Sequence, residues 1–150
     1  VKLIGIDINP KSIALAQKRS QDFPELSFQV QDVFKLNETH LEIDIITSTL
    51  TMHHFTDAEI LKFLAQFLKL ANLGIVINDL QRSTIAYRLF QAYSRVFMRS
   101  EMARHDGLIS IERAFTKNEL LSFTSKLGVQ SFSIKWRWAF RYLWISENQK

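Results

Sequence analysis

Asp7, Asp32 and the adjacent pair His53-His54 are the residues whose type and placement carry the most chemistry in this sequence. Asp7 closes the short apolar run Lys2-Leu3-Ile4-Gly5-Ile6-Asp7, and Asp32 closes Leu26-Ser27-Phe28-Gln29-Val30-Gln31-Asp32. A carboxylate at the end of a strand can accept two hydrogen bonds from the vicinal hydroxyls of a ribose, a device shared by several nucleotide sites. A second carboxylate one strand later can accept from the exocyclic amine of an adenine, with Val33 covering the ring face. The competing reading of each is a capping or turn Asp. The run Thr47-Ser48-Thr49-Leu50-Thr51-Met52-His53-His54-Phe55 mixes hydroxyls, apolar surface and two imidazoles. An imidazole here can act as general base toward a phenol-like hydroxyl. A metal site is disfavoured, because chain neighbours seldom point at one ion. A structural imidazole is the plain alternative.

The elements that must position these residues follow from periodicity. The run ending at Asp7 reads as a buried parallel strand. Asn9-Pro10 opens a helix that runs to about Gln21, where Asp22-Phe23-Pro24-Glu25 breaks it. Leu26–Asp32 alternates as a strand, and Ile43–Ser48 is a third. Thr56-Asp57 with Glu59 signals a capped helix start, and Ile60, Phe63, Leu64, Phe67 and Leu68 make one apolar helical face. Asn72-Leu73-Gly74 is expected to end that helix, and Gly74–Asp79 to form a fourth strand. Ser83–Met98 reads as an aromatic-rich helix, His105–Ser110 as a loop, and Thr116 with Glu119 as a second capping box before a helix ending at Gly128. Val129–Lys135 and Trp138–Ser146 read as an antiparallel strand pair. Alternating strands and helices imply an α/β, Rossmann-like, doubly wound and mostly parallel sheet. Such sheets bind ligands beyond the carboxyl ends of their strands.

The 150 residues suit one domain, with 47% hydrophobic and 23% charged residues. There is no cysteine, which excludes disulfides, thiolate metal sites and a cysteine nucleophile, and accords with a reducing cytoplasm. No apolar run reaches the roughly 18 residues of a membrane span, so no membrane partner is expected. Charge is uneven: residues 1–75 hold 7 Lys/Arg against 9 Asp/Glu, and residues 76–150 hold 12 against 6. The basic half can attract an anionic partner, although solvated helix faces are the favoured account of such charge.

Ile4-Gly5-Ile6-Asp7-Ile8-Asn9-Pro10, Gln31-Asp32-Val33 and Leu50-Thr51-Met52-His53-His54-Phe55 together resemble the motif series of class I S-adenosylmethionine-dependent methyltransferases, and the resemblance spans the chain. It implies S-adenosyl-L-methionine as cofactor, with Asp7 on the ribose, Ile8 and Val33 flanking adenine, and Asp32 on the adenine amine. Ser48, Thr49 and Leu50 would line the cofactor and the acceptor. Asn78-Asp79-Leu80-Gln81-Arg82-Ser83, Ala86-Tyr87, Arg104-His105-Asp106-Gly107 and Arg113-Ala114-Phe115-Thr116 resemble a bacterial subgroup similar to quinone-biosynthesis methylases. That narrower likeness implies a small aromatic, phenolic, polyketide or quinone-like acceptor. Residues 82–113 would then form a helical lid, with Tyr87, His105 and Arg113 toward the acceptor and His53 or His54 as base. A plain helical hairpin filling the sheet face is the competing reading of that insert.

The chain departs from the family at its start. The family opens on a strand and a glycine-rich loop, whereas the four glycines here are Gly5, Gly74, Gly107 and Gly128, none in such a loop. A chain beginning at Val1 is therefore expected to lack the first strand and helix, to encode the adenosine half of the cofactor site and not the methionine half, and to be weakly active or inactive. The strand edges beside the gap could be completed by an upstream segment, close on each other or on a second copy to give a homodimer, or be completed by a separate polypeptide. An NAD-binding oxidoreductase fragment is the first alternative, since an acid after the same strand also binds NAD ribose. The terminal antiparallel pair and the position of Asp32 speak against it. A non-catalytic interaction module, using the basic aromatic half, is the second. Nucleic acid is not expected as substrate, because no Asn-Pro-Pro-Tyr-like tetrad is present.

Overall fold

The computed structural model describes residues 1–38 and 42–148. Its elements are β1 (Leu3–Asp7), α1 (Pro10–Arg19), β2 (Leu26–Val30), β3 (Ile43–Thr49), α2 (Asp57–Leu70), β4 (Ala71–Leu80), α3 (Thr84–Phe97), α4 (Glu101–Arg113), α5 (Lys117–Lys126), β5 (Phe132–Arg137) and β6 (Arg141–Glu147). Short 3-10 turns occupy Val33–Glu38 and Met52–His54. The α/β architecture expected from the sequence is present, with parallel pairs followed by an antiparallel pair. The chain divides into two compact units, Val1–Leu41 and Glu42–Lys150.

In the first unit β1 and β2 run parallel, in register from Leu3↔Leu26 to Asp7↔Val30. The Asn9 side chain caps α1 by accepting from the Lys11 amide, and Pro10 takes the first helical position, where its missing N–H costs nothing. The Phe28 ring lies where a side chain on Gly5 would sit, so bare backbone is needed there. The Gln31 amide donates to the Asp7 carbonyl, so Asp7 and Asp32 leave the same end of this pair.

The second unit is built on a four-stranded sheet in the order β3-β4-β6-β5. β3 and β4 are parallel, whereas β6 is antiparallel to both neighbours. Strand alternation sends Ile75, Ile77 and Asp79 of β4 to one buried face. α2 starts on the predicted capping box, Thr56 with Glu59, and buries Ile60, Phe63, Leu64 and Phe67. From α5, Leu120 and Phe123 are buried, and from β6, Trp144.

Two expectations are corrected. Asn72-Leu73-Gly74 does not end α2. The helix stops at Leu70 and the strand begins at Ala71, because the Asn148 amide takes the Leu68 and Ala71 carbonyls that the helix leaves open. Gly74 therefore lies within the strand at φ 153°, and a side chain on it would strike the Ser146 carbonyl of β6. His105–Ser110 is not a loop but the middle of α4. Ser100 caps that helix by accepting from the Ala103 amide, and the Phe90 ring of α3 lies against Gly107 where a side chain would be. Residues 82–113 thus hold a helical hairpin of α3 and α4.

Within their sheets β1 pairs with β2 alone and β3 with β4 alone, so each keeps one edge without a ladder partner among the described residues. No helix among the described residues is long and apolar enough to cross a membrane.

Candidate active site at the carboxyl ends of the strands

The site in the second unit is organised by a buried carboxylate. β3 ends at Thr49, and Leu50 turns the chain sharply with φ 53°, a left-handed conformation costing roughly 1 kcal/mol for a residue other than glycine. Its amide donates to the Asn78 carbonyl at 2.9 Å, which ties the turn to β4. The turn aims the next two amides at Asp79: Thr51 N at 3.1 Å and Met52 N at 2.8 Å, both onto Oδ2. Asp79 Oδ1 accepts from its neighbour's amide, Leu80 N, at 2.7 Å and meets His53 Nδ1 at 2.6 Å.

Asp79 is 2% exposed and His53 4%. A buried charge needs this number of donors to offset its lost hydration. With the carboxylate as acceptor, the His53 proton sits on Nδ1 and Nε2 is left as the acceptor nitrogen. His53 is thereby fixed, and it carries the next residue with it. The His53 and His54 ring centroids are 4.1 Å apart. His54 is exposed, and its pKa lies below the ordinary 6.5. Partial desolvation by the packing around its ring is the main cause and the neighbouring His53 the second. Asp79 opposes the shift, Arg113 adds to it, and Asp106 opposes it. His54 is therefore neutral at physiological pH and able to accept a proton.

The hairpin supplies the surroundings of this turn. α4 packs against Met52–His54 and brings Asp106 and Arg113 within electrostatic reach of His54. Tyr87 and Arg88 of α3 line a cleft of about 430 Å³ with Ile111 and Glu112 of α4. The hairpin is anchored at its root by Arg82. Its Nε donates to the Ala114 carbonyl at 2.9 Å, and Nη2 reaches both carboxylate oxygens of Glu119 at 2.5 and 2.6 Å. Glu119 also closes the capping box of α5 with Thr116, so one arginine fixes where the insert leaves the sheet and where it returns.

The residues singled out from sequence fall into two sets. Asp7, Ile8, Asp32 and Val33 belong to the first unit, at the carboxyl ends of β1 and β2. Ser48, Thr49, Leu50, His53, His54, Tyr87, His105 and Arg113 belong to the second. Asp7 Oδ1 accepts from Asn9 N at 2.7 Å and Asp32 Oδ1 from Phe34 N at 2.9 Å. Each carboxylate has its second oxygen without a partner among the described residues, the valence a ribose hydroxyl or an adenine amine requires. Ser48 is half-buried and Thr49 exposed at the end of β3. His105 is exposed on α4, and it is its neighbour Asp106 that acts on His54.

Asp79 escaped the sequence reading as a site residue. Its signal was present: period two from Ile75 and Ile77 places it on the buried face, where an acid demands a partner.

Residues 1–74 match the family described as Methyltransferase domain. No curated protein matches the chain in sequence. Among solved structures, magnesium protoporphyrin IX methyltransferase from Synechocystis PCC 6803, with bound SAH, superposes at a TM-score of 0.65. It is 14% identical, over 99% of this chain and 65% of that one. The plantazolicin methyltransferase, in complex with a triazolic desmethylPZN analogue and SAH, gives 0.74 at 15% identity, over 99% and 69%. Human N-acetylserotonin methyltransferase, in complex with SAM, gives 0.68 at 15%, over 99% and 41%. The chain thus spans less than two thirds of the first and last of these proteins. The first 74 residues match the methyltransferase-domain family, and nearly all of the chain carries the fold of these methyltransferases.

Proposed function

We propose that this chain binds S-adenosylmethionine through Asp7 and Asp32 and serves methyl transfer to the hydroxyl of a small aromatic or quinone-like acceptor, with His54 as general base. The observation that supports the reading is the Asp79–His53 clamp, which holds the turn carrying a neutral His54 after β3, with α4 of the hairpin packed against that turn. Bound cofactor would supply the methyl group from its sulfonium. His54 would take the proton of the acceptor hydroxyl that receives this methyl group. Asp79 and His53 act through position, holding His54 still while the acceptor is lined up. The hairpin cleft beside Tyr87, with Arg113 near His54, is where the acceptor would lie, and closing it excludes water. The β1 and β3 edges are the surfaces through which two copies would pair.

Calorimetric titration of the chain with S-adenosylhomocysteine tests the cofactor assignment, with NADH as the comparison. Binding of S-adenosylhomocysteine, weakened roughly tenfold to hundredfold in Asp7→Ala through loss of charge-assisted hydrogen bonds, supports it. Binding of NADH in its place, or an affinity indifferent to Asp7→Ala, overturns it.

A further inference from the structure

Helix α3 has an outer face that nothing in the second unit covers. Ile85, Leu89, Tyr93, Val96 and Phe97 recur at i, i+4, i+8, i+11 and i+12 and are all exposed, Val96 to 75%. They form one continuous strip along the helix. The Tyr93 and Phe97 rings stack 4.9 Å apart at its far end, and Met102 at the start of α4 is exposed beside them in sequence. Single exposed apolar residues are ordinary, whereas a contiguous strip on one helix marks an interaction surface.

The charges around the strip identify what it meets. Residues 80–100 contain Arg82, Arg88, Arg95 and Arg99 and not one Asp or Glu. Arg88, Arg95 and Arg99 are exposed. Arg95 and Arg99 have no ion pair among the described residues, and Arg88 reaches only Gln91 at 3.4 Å. A second element has the same character. Residues 128–146 contain Lys135, Arg137 and Arg141 and no acid, and the link between β5 and β6 presents Trp138, 86% exposed. This link adjoins the root of α3: the Phe140 carbonyl accepts from Gln81 N at 2.8 Å, and the Trp136 indole donates to the Gln81 side chain at 2.9 Å.

We infer that α3 and the Trp138 hairpin form a docking surface for an anionic lipid bilayer. An apolar strip bordered by arginines with no interspersed acid is the pattern of a helix lying in the headgroup layer. The apolar side chains enter the acyl boundary and the guanidiniums meet lipid phosphates. An exposed tryptophan flanked by arginines suits the same depth, because indole favours the interface. The pattern disfavours nucleic acid, for which the basic groups would occupy the centre of the face and not its border. With 14 residues α3 is too short to span a bilayer, and its inner side packs on α4. The inference does not depend on the proposed reaction.

Co-sedimentation of the chain with vesicles of phosphatidylglycerol and of phosphatidylcholine tests the inference, together with tryptophan emission. The expected result is binding to phosphatidylglycerol vesicles, weakened by salt, absent from phosphatidylcholine, and accompanied by a blue shift that Trp138→Phe diminishes. Leu89→Ser with Val96→Ser weakens binding about tenfold or more through lost apolar burial. Arg95→Gln and Arg99→Gln weaken it about fivefold each, the equivalent of ~1 kcal/mol per cation near the surface. Unchanged circular dichroism establishes that these exposed substitutions leave the fold intact. Three results overturn the inference: no binding to phosphatidylglycerol vesicles at low salt, binding indifferent to Leu89→Ser with Val96→Ser, or a chain dimer that dissociates in that variant and does not bind vesicles.

Discussion

Asp79→Asn isolates the contribution of the clamp, because asparagine keeps the shape of the side chain and removes one acceptor with its charge. Asp79 Oδ2 receives two main-chain donors, at 3.1 and 2.8 Å, and Oδ1 receives one, at 2.7 Å, together with His53 at 2.6 Å. The remaining oxygen of asparagine will take the Oδ2 place, since the Thr51 and Met52 amides cannot reverse. The new NH2 group then faces the Leu80 N–H and the His53 ring. His53 can respond by moving its proton to Nε2 and accepting at Nδ1, whereas Leu80 N–H has no such option. The cost is one buried donor left open, about 1–3 kcal/mol, plus weakening of bonds that were charge-assisted, for a total of ~3 kcal/mol. Asp79→Ala strands all four donors and threatens a total stability of about 5–15 kcal/mol, so asparagine is the informative change. Urea unfolding should show a midpoint lowered by about 1.5 M at unchanged slope, taking a slope of ~2 kcal/mol/M. Imidazole ¹⁵N spectra should show the His53 proton moved from Nδ1 to Nε2. A midpoint within about 0.3 M of the parent, well under 1 kcal/mol at such a slope, with the same tautomer would refute the reasoning.

Three further outcomes follow from the geometry. A base at His54 must be neutral, and its pKa is held below 6.5 chiefly by partial desolvation and by His53. The pH profile of kcat/KM should therefore be level from neutral pH upward and fall only as pH drops through that lowered pKa. Arg113→Gln removes a cation that lowers the pKa and should move the acid limb to higher pH, whereas Asp106→Asn should move it lower. Gly107→Ala forces the Phe90 ring aside and should destabilise the hairpin by about 1–3 kcal/mol, partly offset by better helix propensity. Phe90→Ala should suppress that effect in a thermal-unfolding double-mutant cycle. Gly74→Ala drives a methyl group into the Ser146 carbonyl at a φ of 153° and should cost more than about 2 kcal/mol, read as a lowered melting temperature.

Where one physical signal governed an element, it was legible in the sequence. Thr56 and Thr116 start their helices through the predicted capping boxes, and Asn9-Pro10 starts α1. The apolar face of α2 was readable from spacing alone because local periodicity and burial agree there. α4 was not readable. Its apolar residues keep no single face, and Asp106-Gly107 has the composition of a turn; the glycine is there so that Phe90 can approach. The start of β4 was missed for a tertiary reason, since the group that ends α2 is Asn148, distant in sequence. In the candidate site the two histidines were visible as residues but their division of labour was not. Which imidazole is buried is decided by Asp79 and by the backward turn at Leu50, and neither has a local signature.

The position of β6 bears on how this molecule comes to be folded. It is made well after β4, yet it lies inside the sheet, hydrogen-bonded to β4 on one side and β5 on the other. Between β4 and its partner the chain must complete three helices. A nascent chain that has passed α5 therefore carries β4 with a bare edge of apolar residues and cannot cover it from what has already been made. Long-range closure of this kind slows folding and leaves an aggregation-prone edge exposed in the meantime. Chaperone dependence during synthesis, and strong sensitivity of yield to substitutions in Arg141–Glu147 that spare the candidate site, are the consequences to expect.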